Sequence, residues 1–237
     1  LADDMTVTFD MLGDGRLDGV MLLSDNRLGV FAIDENSAGN CNPRITRSLA
    51  AGSYALLVNT YSNATELPCG GTNTGNYRIA MSHESSELLT LTGPQSFQGG
   101  ESNARFFGGV TRNGGQTYVN KVSPTEAFDV EGRIEIDPVH QGQPGYIVVA
   151  AIVDKGAETL VKNINGEFVL YQPEQLLVPI YRKKILGAVE DVDVMTQMVA
   201  ASIGISSIEV EFLIGYGVDS DPDELYFHSQ PISLIVE

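Results

Sequence analysis

Residues 34–61 read DENSAGNCNPRITRSLAAGSYALLVNTY. A loop of Asp, Glu, Asn and Gly leads into two short apolar runs, Ile45–Leu49 and Tyr54–Val58, joined by Ala50-Ala51-Gly52. Asn and Asp side chains bond their own backbone in turns, and Gly takes positive φ without steric cost. The stretch therefore predicts a polar loop followed by a β-hairpin, and it sets an all-β expectation for the chain around it.

The flanks keep the same period. Met5-Thr6-Val7-Thr8-Phe9 and Tyr77-Arg78-Ile79-Ala80-Met81 alternate apolar and polar residues, with Gly, Asn, Asp and Ser clusters between the runs. The predicted strands of the first half lie near 5–11, 18–24, 28–33, 44–49, 53–60, 76–81 and 88–92. Those of the second half lie near 104–110, 127–136, 145–154, 167–171, 175–181, 207–216 and 224–236. Residues 189–205 read either as a short helix, through Val192, Met195, Met198, Val199 and Ile203, or as a strand and loop. Pro, Gly and Gln cluster in Thr92–Glu101, TGPQSFQGGE, which places a linker between two domains, 1–93 and 101–237. Gly108-Gly109 and Gly114-Gly115 bracket a tight hairpin.

Composition narrows the class. Hydrophobic residues make up 43% of the 237, enough for real cores and too many for a disordered chain. The net charge of −17 repels phosphate backbones and excludes nucleic acid as a partner. No run approaches the ~18 consecutive apolar residues of a membrane helix. Leu1-Ala2-Asp3-Asp4 turns acidic at once, so a mature or trimmed product is expected. The two cysteines, Cys41 and Cys69, both sit among Asn, Pro and Gly. An even count in polar loops suits a disulfide in an oxidising compartment; a pair of free thiols is the alternative.

Ser24-Asp25-Asn26-Arg27-Leu28-Gly29-Val30-Phe31, the Asp34–Asn42 loop, Tyr54–Val58 and Gly75-Asn76-Tyr77-Arg78-Ile79 resemble the bacterial pre-peptidase C-terminal domain. The match runs over roughly residues 5–82. It departs at the start, where Thr6-Val7-Thr8-Phe9 stands in for an Asp-x-Asp-x-Phe opening. The resemblance implies a small jelly-roll sandwich attached to secreted enzymes and surface proteins. The second half, through Arg105–Val110, Gly132–Pro138, Phe212–Tyr216 and Leu225–Leu234, is similar to sandwich domains of large secreted proteins of marine bacteria. It implies an immunoglobulin-like topology and brings no activity with it.

Catalytic patterns are scarce. His83, His140 and His228 stand far apart, with no His-Glu-x-x-His, Gly-x-Ser-x-Gly or phosphate-loop motif, and no catalytic residue is assigned. His228, between Phe227 and Ser229, reads as an outward strand residue. Two acidic loops suggest structural calcium through hard oxygen donors. One offers Asp219, Asp221 and Asp223; the other offers Asp34, Asn36 and Asn40. The first fails as an EF-hand because Glu224 takes the place of the required Gly and Gln230 that of the bidentate Glu. Both loops also read as plain turns. The chain has no Trp, so Tyr61, Tyr118, Tyr171, Tyr181 and Tyr226 are the candidate stacking faces for a glycan, against the plainer reading of half-buried strand tyrosines.

The expected function is a secreted or cell-surface, non-catalytic binding, adhesion or enzyme-targeting module. Its partners would be extracellular polysaccharide or a surface protein. An extracellular hydrolase, marked by two carboxylates or a Ser/His pair converging in one cleft, is the alternative from another class. A structural spacer is the third reading.

Overall fold

The structure is a computed structural model and describes residues 1–13, 17–27, 29–60, 74–112, 114–172 and 180–237. It is all-β, and its described helical turns are two short 3-10 segments, Asp154–Gly156 and Ala200–Ile203. The chain divides into two compact units, Leu1–Ser85 and Ser86–Glu237.

The first unit contains β1 (Met5–Gly13), β2 (Gly19–Asp25), β3 (Val30–Asp34), β4 (Arg44–Leu49), β5 (Tyr54–Thr60) and β6 (Tyr77–Ser85). They form two antiparallel sheets, β4-β1-β6 and β3-β2-β5. Alternation sends Val7 and Met11 of β1, Ile45 and Leu49 of β4, Met21 and Leu23 of β2 and Ala32 of β3 into one core between them. The expected hairpin of residues 44–58 is not one. β4 pairs with β1 and β5 pairs with β2, so Ala50–Ser53 is a corner that crosses from sheet to sheet. Its polar groups are held locally rather than in a ladder. Gly52 N–H donates to Leu1 O (3.0 Å), Ala51 N–H to Asp4 Oδ1 (2.8 Å) and the Tyr54 hydroxyl to Ala50 O (2.9 Å).

The second unit contains β7 (Leu89–Leu91), β8 (Gln95–Ser96), β9 (Arg105–Thr111), β10 (Tyr118–Val119), β11 (Lys121–Val122), β12 (Ala127–Glu135) and β13 (Pro144–Val153). It continues with β14 (Glu158–Lys162), β15 (Phe168–Leu170), β16 (Arg182–Ile185), β17 (Val189–Val199), β18 (Ile208–Val218), β19 (Asp221–Phe227) and β20 (Ile232–Val236). One sheet runs β17-β12-β9, with β7 and β10 successively along the far side of β9. The other runs β11-β20-β18-β13-β14-β15, with β16 also on β13, β19 also on β18 and β8 on β19. Every pairing in this unit is antiparallel except β11 with β20. After β12 the chain crosses to the second sheet for β13–β16, returns to the first for β17 and crosses again for β18–β20. The two sheets form an antiparallel sandwich, β9, β12 and β17 in one layer and β13, β14, β18 and β20 in the other. Phe106, Val130, Ile134, Val192 and Val194 from one sheet meet Ile147, Val149, Phe212, Ile214 and Tyr216 from the other. Each such side chain contributes about 1.5–3 kcal/mol by burial.

One segment departs from the sequence expectation, and a second, left open between two readings, is a strand. The stretch expected as a linker lies inside the second unit. Glu224, 4% exposed, accepts N–H bonds from Gln98 and Gly100 (3.0 Å each), and Phe97 N–H bonds Leu225 O. The ambiguous tract is a strand up to Val199, because Val192 and Val194 both face the core with period two, followed by the 3-10 turn. The strand expected near 175–181 falls mainly on residues outside those described.

Candidate functional site

The Asp34–Asn42 loop closes on itself. Asp34 accepts the N–H groups of Ser37 (3.0 Å) and Arg44 (2.8 Å) and the Ser37 hydroxyl. Partial burial alone would raise its pKa, but the Ser37, Arg44 and Asn36 hydrogen bonds outweigh it and hold the carboxyl below its ordinary value. Asn40 (φ 53°) and Cys41 (φ 64°) are the central residues of a turn closed by a bridge between Gly39 and Asn42. Both left-handed conformations identify type I′, which accounts for Asn at position 40 without any ligand. Asn36 accepts Gly39 N–H through its backbone carbonyl (2.9 Å). A shallow depression of about 490 Å³ borders Ile33–Ser37. Cys69 lies outside the described residues, and the expected disulfide with it.

The second acidic loop is a two-residue turn, Asp219-Ser220, between β18 and β19. Asp219 pairs with Lys183 at 3.0 Å, while Asp221 and Asp223 follow two apart on β19 and are exposed. The next carboxylate, Glu224, points the other way and binds the 98–100 backbone. Burial and then the field of Asp219, Asp221, Asp223 and Glu224 raise the pKa of Tyr146, whose hydroxyl donates to Pro222 O (3.2 Å). Among the described residues, no three His, Cys, Asp or Glu side chains gather into a group able to hold a metal ion.

The histidines of the second unit serve the sandwich. His228 is fully buried, which corrects its reading as an outward strand residue: the chain bends after Phe227 and turns it inward. Its Nε2 accepts Ile214 N–H (2.9 Å), so Nδ1 carries the proton and donates to Gln230 O (2.6 Å). Burial drives its pKa down to about 4, despite the Gln230 contact. His140 Nδ1 lies 2.9 Å from the Tyr216 hydroxyl, and Ser102 Oγ lies 3.2 Å from that same hydroxyl. The phenol of a fully buried tyrosine thus stands between serine and histidine; burial pushes it up to about 12. Tyr226 stacks on Tyr216 at 5.2 Å, and Tyr181 lies over the ammonium of buried Lys162 at 4.4 Å. Tyr61 is outside the described residues.

An open cleft of about 390 Å³ lies on the outer face of the β17-β12-β9 sheet. Phe107 of β9, Arg133 and Glu135 of β12, Tyr118 of β10 and Glu87 from the segment before β7 line it. Strand pairing explains the gathering. Arg133 is opposite Phe107, Glu135 opposite Arg105 and Glu131 opposite Gly109, all on the same face. A Cβ on Gly109 would come 2.7 Å from the Tyr118 ring, so only glycine leaves room for that ring to lie over β9. From there the Tyr118 hydroxyl donates to Glu131 (2.8 Å); burial, then that carboxylate, raises its pKa. Gly115, at φ 83°, gives the turn before β10 its left-handed bend. Arg105 bonds Glu135 (3.0 Å) with its guanidinium 5.0 Å from the Phe107 ring centre, and Arg133 bonds Asp191 (2.8 Å). Of this set, sequence reading singled out only Tyr118 as a ligand-facing candidate. The signal for the rest was the polar register Asp129, Glu131, Arg133, Glu135 along one strand face.

No protein-family model matches the chain, and no curated protein matches it at the threshold searched.

Proposed function

We propose that the chain is a secreted, non-catalytic binding module of a bacterial extracellular or surface protein, and that the outer-face cleft of its second unit is the ligand site. The observation that carries this reading is the state of the cleft's ionisable groups. Tyr118 is paired with Glu131, Arg133 with Asp191 and Glu135 with Arg105, and none of these pairs is a nucleophile–base arrangement. A rigid sheet face with polar and aromatic side chains suits recognition without turnover. The likeness of the first half to pre-peptidase C-terminal domains fits a role in targeting. The test is retention of the full chain on insoluble extracellular polysaccharides and on bacterial cell envelopes, with reducing-sugar release assayed in the same tubes. Retention without release is expected; release, or no retention on either material, would sink the proposal.

A further inference from the structure

We infer that the cleft binds a neutral, hydroxyl-rich ligand, one or two units of an uncharged saccharide, an inference that rests on the binding-module reading above and names its ligand class. Charge balance comes first. Arg105 pairs with Glu135 and Arg133 with Asp191, while Glu87 also lines the cleft and Glu131 accepts the Tyr118 hydroxyl, so carboxylates outnumber guanidinium groups there in a protein that carries −17 overall. That surplus of carboxylate and the surrounding negative field oppose an anion. A divalent cation is disfavoured from the other side, because the described carboxylates form no group of three.

The hydrogen-bonding capacity left over fits hydroxyl groups. Glu135 uses Oε2 toward Arg105, and Arg133 uses Nε toward Asp191. Oε1 of Glu135 and both terminal nitrogens of Arg133 remain, on side chains 40% and 47% exposed. A hydroxyl both donates and accepts, so neighbouring hydroxyls on one ring can give to the carboxylate and take from the guanidinium without disturbing either ion pair. Arg133 and Glu135 alternate on one strand face, two residues or about 7 Å apart, a spacing suited to groups on one sugar ring or across one linkage. Between these donors and Tyr118 lies Phe107, half-buried and stacked by Arg105. Its ring offers an apolar surface for the C–H face of a pyranose, the role an aromatic platform plays where hydroxyls project from the ring edge. The volume, about 390 Å³, lies at the small end of ligand sites.

The test is a titration of the ¹⁵N-labelled full chain with cellotetraose and mannotetraose as neutral probes and an alginate tetramer as the anionic one. A neutral probe is expected to shift the amides of Phe107, Arg133 and Glu135 together with the Arg133 Nε–H signal. Phe107→Ala and Glu135→Gln are expected to weaken that binding about tenfold. Glu135→Gln keeps the shape of the side chain, so it tests the site even if Phe107→Ala lowers the melting temperature. Alginate shifting these signals while neutral probes do not would overturn the inference. So would retention of the chain on polysaccharide with the cleft signals unmoved, an outcome that leaves the module reading standing. Neutral-probe shifts accompanied by reducing-sugar release would support the cleft and overturn the non-catalytic reading instead.

Discussion

His228 should make the protein lose stability in mild acid, well above the range where ordinary carboxylates titrate. The imidazole is fully buried, its two nitrogens are engaged by Ile214 N–H and Gln230 O, and its pKa falls to about 4 from its ordinary 6.5. The unfolded chain therefore binds a proton through a range where the folded chain does not. A folded pKa lowered in this way favours the native state above 6.5, and that contribution is lost as pH falls from 6.5 toward 4. Linkage over that interval gives a loss of about 2 kcal/mol between pH 7 and pH 5, approaching about 3 kcal/mol below pH 4. The assay is urea unfolding of wild type and His228→Gln at both pH values. The variant should be less stable at pH 7, because Gln cannot reproduce both contacts, yet it should lose about 2 kcal/mol less between the two pH values. His83, also lowered by burial, is present in both proteins and cancels in the difference. Equal losses in the two proteins would refute the reasoning, as would a native imidazole that titrates near 6.5 by NMR.

Glu224→Gln removes a carboxylate that burial would push up but that the N–H bonds from Gln98, Gly100 and Leu225 help hold below its ordinary value. It should cost about 1–3 kcal/mol, seen in urea unfolding, and speed proteolytic cleavage within 95–100. In wild type that contribution is present above pH 4.5 and fades as pH drops through the lowered value, a window below that of His228. Gly109→Val drives a side chain into the Tyr118 ring and should lower stability by about 1–3 kcal/mol while moving the Tyr118 ring signals. Millimolar calcium added after EDTA should leave the melting temperature unchanged, since Asp34 is engaged with Ser37 and Arg44 and Asp219 with Lys183. An ion held at 100-fold above its dissociation constant would instead add about 2.7 kcal/mol, a shift of several degrees.

How far the sequence could be read follows from what periodicity carries. Alternation along Ala127–Glu135 or Met5–Phe9 reports which side chains point inward, and the all-β sandwich expectation rested on that. It does not report which sheet a strand joins. The two runs on either side of Ala50–Ser53 alternate as a hairpin would, yet they belong to opposite sheets. The Pro, Gly and Gln of 92–101 have the composition of a linker. What fixes that segment is a carboxylate more than 120 residues later, which no local window contains. His228 was misread for a similar reason: the bend after Phe227 is held by bonds from Ser229 and Gln230 to Thr92, more than 130 residues earlier. For the cleft, Arg133 and Glu135 were legible as outward polar positions. Their meeting with Phe107 and Tyr118 depends on a register that only the paired strands supply.

The corner at Ala50–Ser53 has a further consequence, for the order of folding. β2 and β3 are a local hairpin, and had β4 and β5 formed a second, the first unit would own two pairings able to close in microseconds as neighbouring strands do. Instead β4 must find β1, about 40 residues earlier in the chain, and β5 must find β2, about 35 earlier. Chain entropy has to be surrendered over those spans before either contact can reward it, which places this unit among slow, high-contact-order folders. Until both sheets have assembled, the apolar flanks of the corner stay open to solvent. A peptide cut to residues 34–61 would stay unstructured, however much it looks like a hairpin on paper.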